Sequence, residues 1–299
     1  MRRDLSGIIE NEKVLGLFLL LPAFAIICFV VLYPMIENFV VSFYNPRAYE
    51  PTFSNFVGLN NYAIIFSEEV FWSSLFRTVF YTVSSVALEF VVGLGLALAL
   101  NTKFKGRSLI RGLTLLPWAV PWIATAFIFK WMYDQAFGVV NYFLTGLGLI
   151  RGPIAWLANS QTALGAVILT NVWRDIPFMF VILLAGLQQI PREVIDAAKV
   201  DGVTRLKEFR YITLPSLKAI IITTVLLRFI WNFNAFDLTW LLTQGGPGDS
   251  TRTLSLHAYI VAFEAFRIGE GAAIATVMFA ILVVFSLLWL RVRGRTHAR

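Results

Sequence analysis

The sequence predicts an all-α integral membrane protein with six transmembrane helices and both termini in the cytoplasm, and three observations carry that fold class. Hydrophobic residues make up 58% of the 299-residue chain and charged residues 14%, against about a quarter charged in soluble domains; the mean hydropathy is +0.73. The apolar residues gather into six runs, each of a length that crosses about 30 Å of hydrocarbon at about 1.5 Å per residue. Lys and Arg alternate between the two sides of those runs. Seventeen of the 25 fall in residues 1–13, 103–111, 191–218 and 291–299, whereas Arg47, Arg77, Arg151, Arg252 and Arg267 lie on the opposite side and Lys130, Arg174 and Arg228 lie within spans or at their margins. Short loops rich in Lys and Arg stay cytoplasmic. The formal charge of +7 therefore reads as a topology signal, not as a surface for nucleic acid.

In chain order, residues 1–13 are a polar cytoplasmic N-terminus with Arg2, Arg3 and Lys13, followed by residues 14–36, a run of 23 positions without a charge. That run exceeds the core of a signal peptide and lacks a small-x-small cleavage site, so it is expected to be retained as a span. Pro22 and Pro34 are its kink points. Residues 37–77 form a mixed external segment that contains FVGLNNY, Phe56 to Tyr62. The second span, 78–100, is interrupted only by Glu89, and its Gly93, Gly95, Ala97 and Ala99 suit close helix approach. Gly93-x-Gly95 lacks the βαβ context of a nucleotide fingerprint.

The third span, 112–132, is broken by Pro117 and Pro121; its Trp118, Trp122 and Trp131 suit an aromatic belt, the default, or a cavity wall. Residues 133–161 make an external excursion along the interface. Spans 162–187 and 219–242 flank the polar segment 191–218. An external turn cluster follows, TQGGPGDST at 243–251, then the sixth span at 271–290 and a basic cytoplasmic tail at 291–299. Cys28 is the single cysteine, and the two histidines, His257 and His297, are far apart. This excludes a disulfide framework and a multi-cysteine metal site. No nucleophile–His–carboxylate set suggests an enzyme.

Charges inside spans are the strongest functional signal, because an arginine at a helix centre costs about 2.5–3.5 kcal/mol on insertion scales. Asn171, Arg174, Asp175 and Phe178 stand at i, i+3, i+4 and i+7 of the fourth span, and Arg228, Trp231, Asn232 and Ala235 repeat the spacing in the fifth. Each set shares one helix face, while Asp237, nine residues after Arg228, is expected on roughly the opposite side. Two readings are open for the three charges: contacts to a substrate, or structural pairs.

The segment PREVIDAAKVDGVTRLKEFRYITLPSLK, residues 191–218, is the longest polar island. Pro191 suits a first helical position, Asp196-Ala197-Ala198 lies mid-helix, and Asp201-Gly202 is a stop-and-turn pair. A second short helix is expected to run toward Leu214-Pro215, where proline disfavours helix in the residue before it.

Asp196-Ala197-Ala198, Gly202, Phe209 and Ile212-Thr213-Leu214-Pro215 together resemble the Glu-Ala-Ala loop of binding-protein-dependent ABC importer permeases, with Asp196 one methylene shorter than the usual glutamate. FVGLNNY and Gly-Gly-Pro-Gly resemble the sugar-type permeases. NVWRDIPF (Asn171 to Phe178) and WNFNAF (Trp231 to Phe236) are similar to segments that line a mid-membrane sugar site in the maltose-type members. The chain departs from those members at Arg174, Asp175, Arg228 and Ala235, which leaves glycerol phosphate or another anionic polyol as an alternative to a neutral di- or oligosaccharide.

The resemblance spans residues 14–290 and implies the type I ABC importer permease fold in a prokaryotic inner membrane. It assigns Asp196, Ala197, Ala198, Asp201, Gly202, Leu214 and Pro215 to coupling with a separate ATPase. It assigns Asn171, Arg174, Asp175, Phe178, Arg228, Trp231, Asn232 and Ala235 to the substrate pathway. The implied partners are a second homologous permease, two ATPase subunits, an extracytoplasmic solute-binding protein and a carbohydrate substrate. The chain lacks G-x-x-x-x-G-K-[ST], so ATP and Mg belong to the ATPase partner, and no cofactor or metal is expected on this chain. A secondary ion-coupled sugar carrier is the more distant alternative; such carriers favour inverted repeats, and none is evident.

Overall fold

The computed structural model describes residues 12–46 and 55–294. Arg2, Arg3, Arg47, Arg295, His297 and Arg299 lie outside the described residues, and with them most of the expected N-terminus and tail. Among the described residues every regular element is helical, apart from one isolated antiparallel bridge between Tyr44 and Phe56. Five helices are long and apolar enough to cross a membrane: Leu15–Val41, Glu69–Asn101, Ala163–Gln188, Arg205–Phe233 and Ile268–Arg291. A sixth candidate is the pair Arg107–Ala119 and Trp122–Met132, bent by 96°. The described residues fall into two compact units, one within Met1–Ser67 and Ala258–Val277 and one within Glu68–His257 and Met278–Arg299.

In the first unit, α1 (Glu12–Ile27) and α2 (Tyr33–Val41) join through a π-turn at Cys28–Leu32, and α3 is Asn60–Ser67. Proline removes one helical N–H and its ring strikes the carbonyl four residues back. The π-turn accommodates Pro34 by a shift of register: Tyr33 N–H donates to Cys28 O. The apolar window of Leu15–Val41 buries nothing within the chain, which suits a helix facing lipid or another subunit. Part of the FVGLNNY phrase now has a structural role. Asn61 Nδ2 donates to Ser42 O and Tyr44 O, both at 2.8 Å, and so ties the end of α2 to α3.

The second unit holds α4 (Glu69–Asn101), α5 (Arg107–Ala119), α6 (Trp122–Met132), α7 (Val139–Gly146) and α8 (Ala163–Gln188). These are followed by α9 (Arg192–Val200), α10 (Arg205–Glu208), a π-turn at Phe209–Thr213, α11 (Leu214–Phe233) and α12 (Asp237–Thr243). α13 (Leu254–Tyr259) and α14 (Ile268–Gly294) complete the chain. The α4–α8 contact is the spine of this unit. Leu94, Ala97 and Leu100 of α4 pack with Met179, Phe180, Leu183 and Leu187 of α8 and Leu217 of α11.

Gly93 permits that approach, since a Cβ there would meet Met179 Cβ at 2.9 Å and Phe180 N at 3.2 Å. Gly93→Val should cost about 1–3 kcal/mol through overpacking and lower the melting temperature of the detergent-solubilised chain. Gly95→Val, with nothing within 4 Å, is the matched control that should melt near the wild type; equal melting of both variants would show that close approach is dispensable.

Two expectations need correction, and a third holds. The helix does not end at Leu214-Pro215: the π-turn at Phe209–Thr213, with Leu214 N–H donating to Phe209 O, carries it past the proline, so Arg205–Phe233 is one helix of 29 residues. Span 219–242 is not continuous, for α11 stops at Phe233 and the backbone turns at Asn234. Asn side chains compete for backbone partners, and here Asn234 Nδ2 donates to Ile230 O at 2.9 Å while Ser255 Oγ caps Ala235 O at 2.7 Å. The third span breaks where its prolines predicted, and Pro121 directly precedes α6 with extended ψ of 147°.

Candidate functional site

Three helices meet at a buried polar cluster. Arg228 of α11 donates from Nε to Glu89 Oε2 at 2.7 Å and from Nη2 to Glu89 Oε1 at 2.8 Å. Its Nη2 also donates to Asp175 Oδ2 on α8 and to Asn232 Oδ1 at 3.2 Å. Asn171 and Asn232 each donate to Glu89 Oε1, at 3.2 and 3.1 Å, and Asn171 Nδ2 also reaches Asn232 Oδ1 at 3.1 Å. Arg174 extends the chain of charges: Nη1 donates to Asp175 Oδ1 at 2.9 Å, and its guanidinium lies 3.6 Å from the Trp122 ring centroid. The result is a sequence of alternating sign, Arg174–Asp175–Arg228–Glu89. The side chains of Glu89, Asp175 and Arg228 are at most 4% exposed and that of Arg174 is 12% exposed. Burying such charges is tolerable only because each is paired and hydrogen-bonded.

This cluster forms one wall of a cavity of about 440 Å³, within the range of about 300–1,000 Å³ common for small-ligand sites. Trp118, Trp122, Asn171, Arg174, Asp175, Arg228, Trp231 and Asn232 line it, and Asn234 to Leu238 close it from the α11–α12 break. Trp231 is about half exposed. Phe178 lies behind the wall, its ring 5.0 Å from that of Trp231 and 5.9 Å from that of Trp118.

Both predicted stripes therefore converge, with Ala235 on the lining and Phe178 supporting it. The charges are ion pairs, and Arg174, Asp175 and Arg228 also form part of the cavity wall. Asp237 also lines the cavity; the opposite-side expectation failed because a 100°-per-residue count has no meaning across the break at Asn234. Trp118 and Trp122 belong to the cavity rather than to a belt, while Trp131 is exposed. Glu89 is the residue that sequence reasoning passed over. Its signal was present as a lone carboxylate in an otherwise uncharged span.

The second candidate region is the 191–218 segment. α9 begins directly after Pro191 and ends at Val200, and Gly202 takes φ +69°. Gly202 N–H donates to Lys199 O at 3.1 Å and Val203 N–H to Ala198 O at 2.9 Å, which closes the helix end. Asp196 Oδ1 accepts from Lys199 Nζ at 2.8 Å. That hydrogen bond, reinforced by the ammonium charge, holds the Asp196 carboxyl below the usual carboxylate range, so it is an anion at neutral pH. Ala197, Ala198 and Asp201 border a groove of about 650 Å³ together with Val194, Val203, Lys207 and Tyr211. Val200, Leu206 and Tyr211 are strongly exposed beside it. Leu214 and Pro215 do not line this groove; they sit just past the π-turn.

Residues 91–293 match the family described as binding-protein-dependent transport system inner membrane component. Over 285 residues the chain is 37% identical to the trehalose/maltose transport system permease protein MalF of Thermococcus litoralis, with 94% of each chain covered. Over 282 residues it is 34% identical to the sulfoquinovosyl glycerol transport system permease protein SmoG of Agrobacterium fabrum, covering 94% of this chain and 91% of that one. Among solved structures it superposes with a TM-score of 0.83 on a chain of a bacterial ABC transporter involved in the import of the acidic polysaccharide alginate. That match has 22% identity and covers 98% of this chain and 99% of the other.

Proposed function

From the premise that the chain belongs to the family of binding-protein-dependent transport system inner membrane components, we propose that it is the permease subunit of an ATP-driven ABC importer for a di- or oligosaccharide. The chain works in the inner membrane beside a second permease of the same kind, two ATPase subunits and an extracytoplasmic binding protein that delivers the sugar. The observation that carries this reading is the cavity between α8 and α11. Aromatic faces (Trp118, Trp122 and Trp231) suit the C–H patches of a sugar ring, and the amides of Asn171 and Asn232 suit hydroxyls that both donate and accept. The relative named for trehalose and maltose supports the same substrate class, and the one named for sulfoquinovosyl glycerol supports a glycoside more broadly.

In this mechanism the exposed 191–218 elbow docks on an ATPase. Closure of the ATPases on ATP moves the elbow, and α8 and α11, the helices that flank it, open the cavity toward the loaded binding protein. Hydrolysis resets the inward-open state. The sugar biases this equilibrium only through its different affinity for the two states.

Trp231→Ala tests the pathway, because Trp231 has no part in the ion-pair chain and its loss leaves the fold standing. Uptake of radiolabelled sugar should fall at least about tenfold, equivalent to about 1.4 kcal/mol, while the assembled complex is still recovered intact. Asn232→Ala should abolish uptake as well, and in addition lower stability through the hydrogen bonds it makes to Glu89 and Arg228. Transport kinetics unchanged in Trp231→Ala would remove the cavity from the pathway.

A further inference from the structure

The charge bookkeeping of the cavity decides between the neutral and the anionic substrate. Arg174 and Arg228 are the only cations on its lining, and both are already matched: Asp175 bridges the two, and Glu89, directly behind the wall, takes Arg228 through two hydrogen bonds. An incoming carboxylate or phosphate meets arginines whose charge is already neutralised, and displacing Glu89 or Asp175 would leave that carboxylate buried without its cation, which is strongly unfavourable. A further acid stands on the same lining. Asp237, in the first turn of α12, borders the cavity and makes no ion pair among the described residues. With all groups ionised the site is therefore net negative.

Resting on the cavity as the sugar site, we infer that it is a charge filter: it admits uncharged carbohydrates and rejects uronates, sulfonated sugars and polyol phosphates, and Asp237 is the specificity-determining residue. The paired arginines serve a neutral sugar well. Arg174 retains donor capacity beyond its single bond to Asp175, and hydroxyls accept such bonds without disturbing the pairing. Asp237 accepts hydroxyl hydrogen bonds and repels anions over the same distance. Alginate is acidic, so this filter separates the chain from the importer whose fold it shares.

The test compares matched probes on the full-length chain assembled with its partner subunits in lipid nanodiscs, read by the fluorescence of the cavity tryptophans. The probes are α-1,4-galactobiose, maltose, trehalose, digalacturonate and glycerol 3-phosphate. At least one neutral sugar should quench saturably, and both anions should leave the signal unchanged at roughly a hundredfold higher concentration. Asp237→Lys should raise digalacturonate affinity by about tenfold or more, and the isosteric Asp237→Asn should raise it less. Wild-type binding of digalacturonate at least as tight as that of galactobiose, and abolished by Trp231→Ala, would overturn the filter while leaving the cavity as the site. Failure of both Asp237 variants to gain digalacturonate affinity would remove Asp237 from the role. Quenching with unchanged affinity in Trp231→Ala, or no quenching by any probe, would sink the cavity reading and the filter with it.

Discussion

Arg228→Met is expected to cost about 3–5 kcal/mol of stability, because it strands Glu89 in a fully buried position with only two amides for company. The loss should appear as a large drop in the melting temperature of the detergent-solubilised chain and in the yield inserted into membranes. The expectation becomes sharp in combination. Arg228→Met with Glu89→Leu removes both charges, leaves Asp175 paired to Arg174, and fills the space with apolar groups. Such replacements of buried pairs are commonly neutral or even stabilising. The double variant should therefore melt well above the single one, and a double-mutant cycle should return a coupling of several kcal/mol. If single and double variants melt together, the cluster contributes packing rather than electrostatics.

Gly202→Pro is expected to uncouple ATP hydrolysis from transport, with sugar-stimulated ATPase activity falling to the basal rate. Proline fixes φ near −65°, whereas Gly202 stands at +69°, and proline also lacks the N–H that bonds Lys199 O. The turn between α9 and α10 must then open, and the groove bordered by Ala197, Ala198 and Asp201 loses its shape. Gly202→Ala provides the graded control. No atom lies within 4 Å of its added Cβ, so only the positive φ is penalised, by about 1–2 kcal/mol, and coupling should be weakened rather than lost. Asp196→Lys should uncouple by a different route, since it replaces the exposed anion bonded to Lys199 with a second cation and leaves the turn intact. Sugar-stimulated hydrolysis retained in both Gly202→Pro and Asp196→Lys would refute a docking role for the elbow.

Much of the fold was legible because bilayer spans announce themselves through uninterrupted apolar length, and the importer fold implied by the Asp196-Ala197-Ala198 phrase is the observed one. Pro117 and Pro121 marked a real break, and Asp201-Gly202 a real turn. The helix faces of Asn171, Asp175, Arg228 and Asn232 were read correctly from spacing, since within one unbroken helix a count of residues is an angle. What failed was nonlocal or depended on continuity. Glu89 meets Arg228 across 139 positions of sequence, and no local pattern announces such a partner. The stop at Asn234 carries no glycine or proline, so hydropathy ran straight through it. At Pro215 a valid local rule was overridden by a π-turn that absorbs the missing bond. Trp118 and Trp122 line the cavity, the alternative to the belt default; an aromatic belt and a cavity lining share one composition.

The detour around Pro215 has a mechanical meaning. From Arg205 to Phe233 the chain is one continuous helix, about 43 Å long at the usual rise, with Arg228 near its far end. A tilt applied at the Arg205 end of one continuous helix is carried along it to the cavity that Arg228 and Asn232 line. It ends at the Asn234–Phe236 corner, on the cavity's own rim. The bend between α11 and α12 therefore sits beside the cavity, and the helix leading to it runs on without a stop.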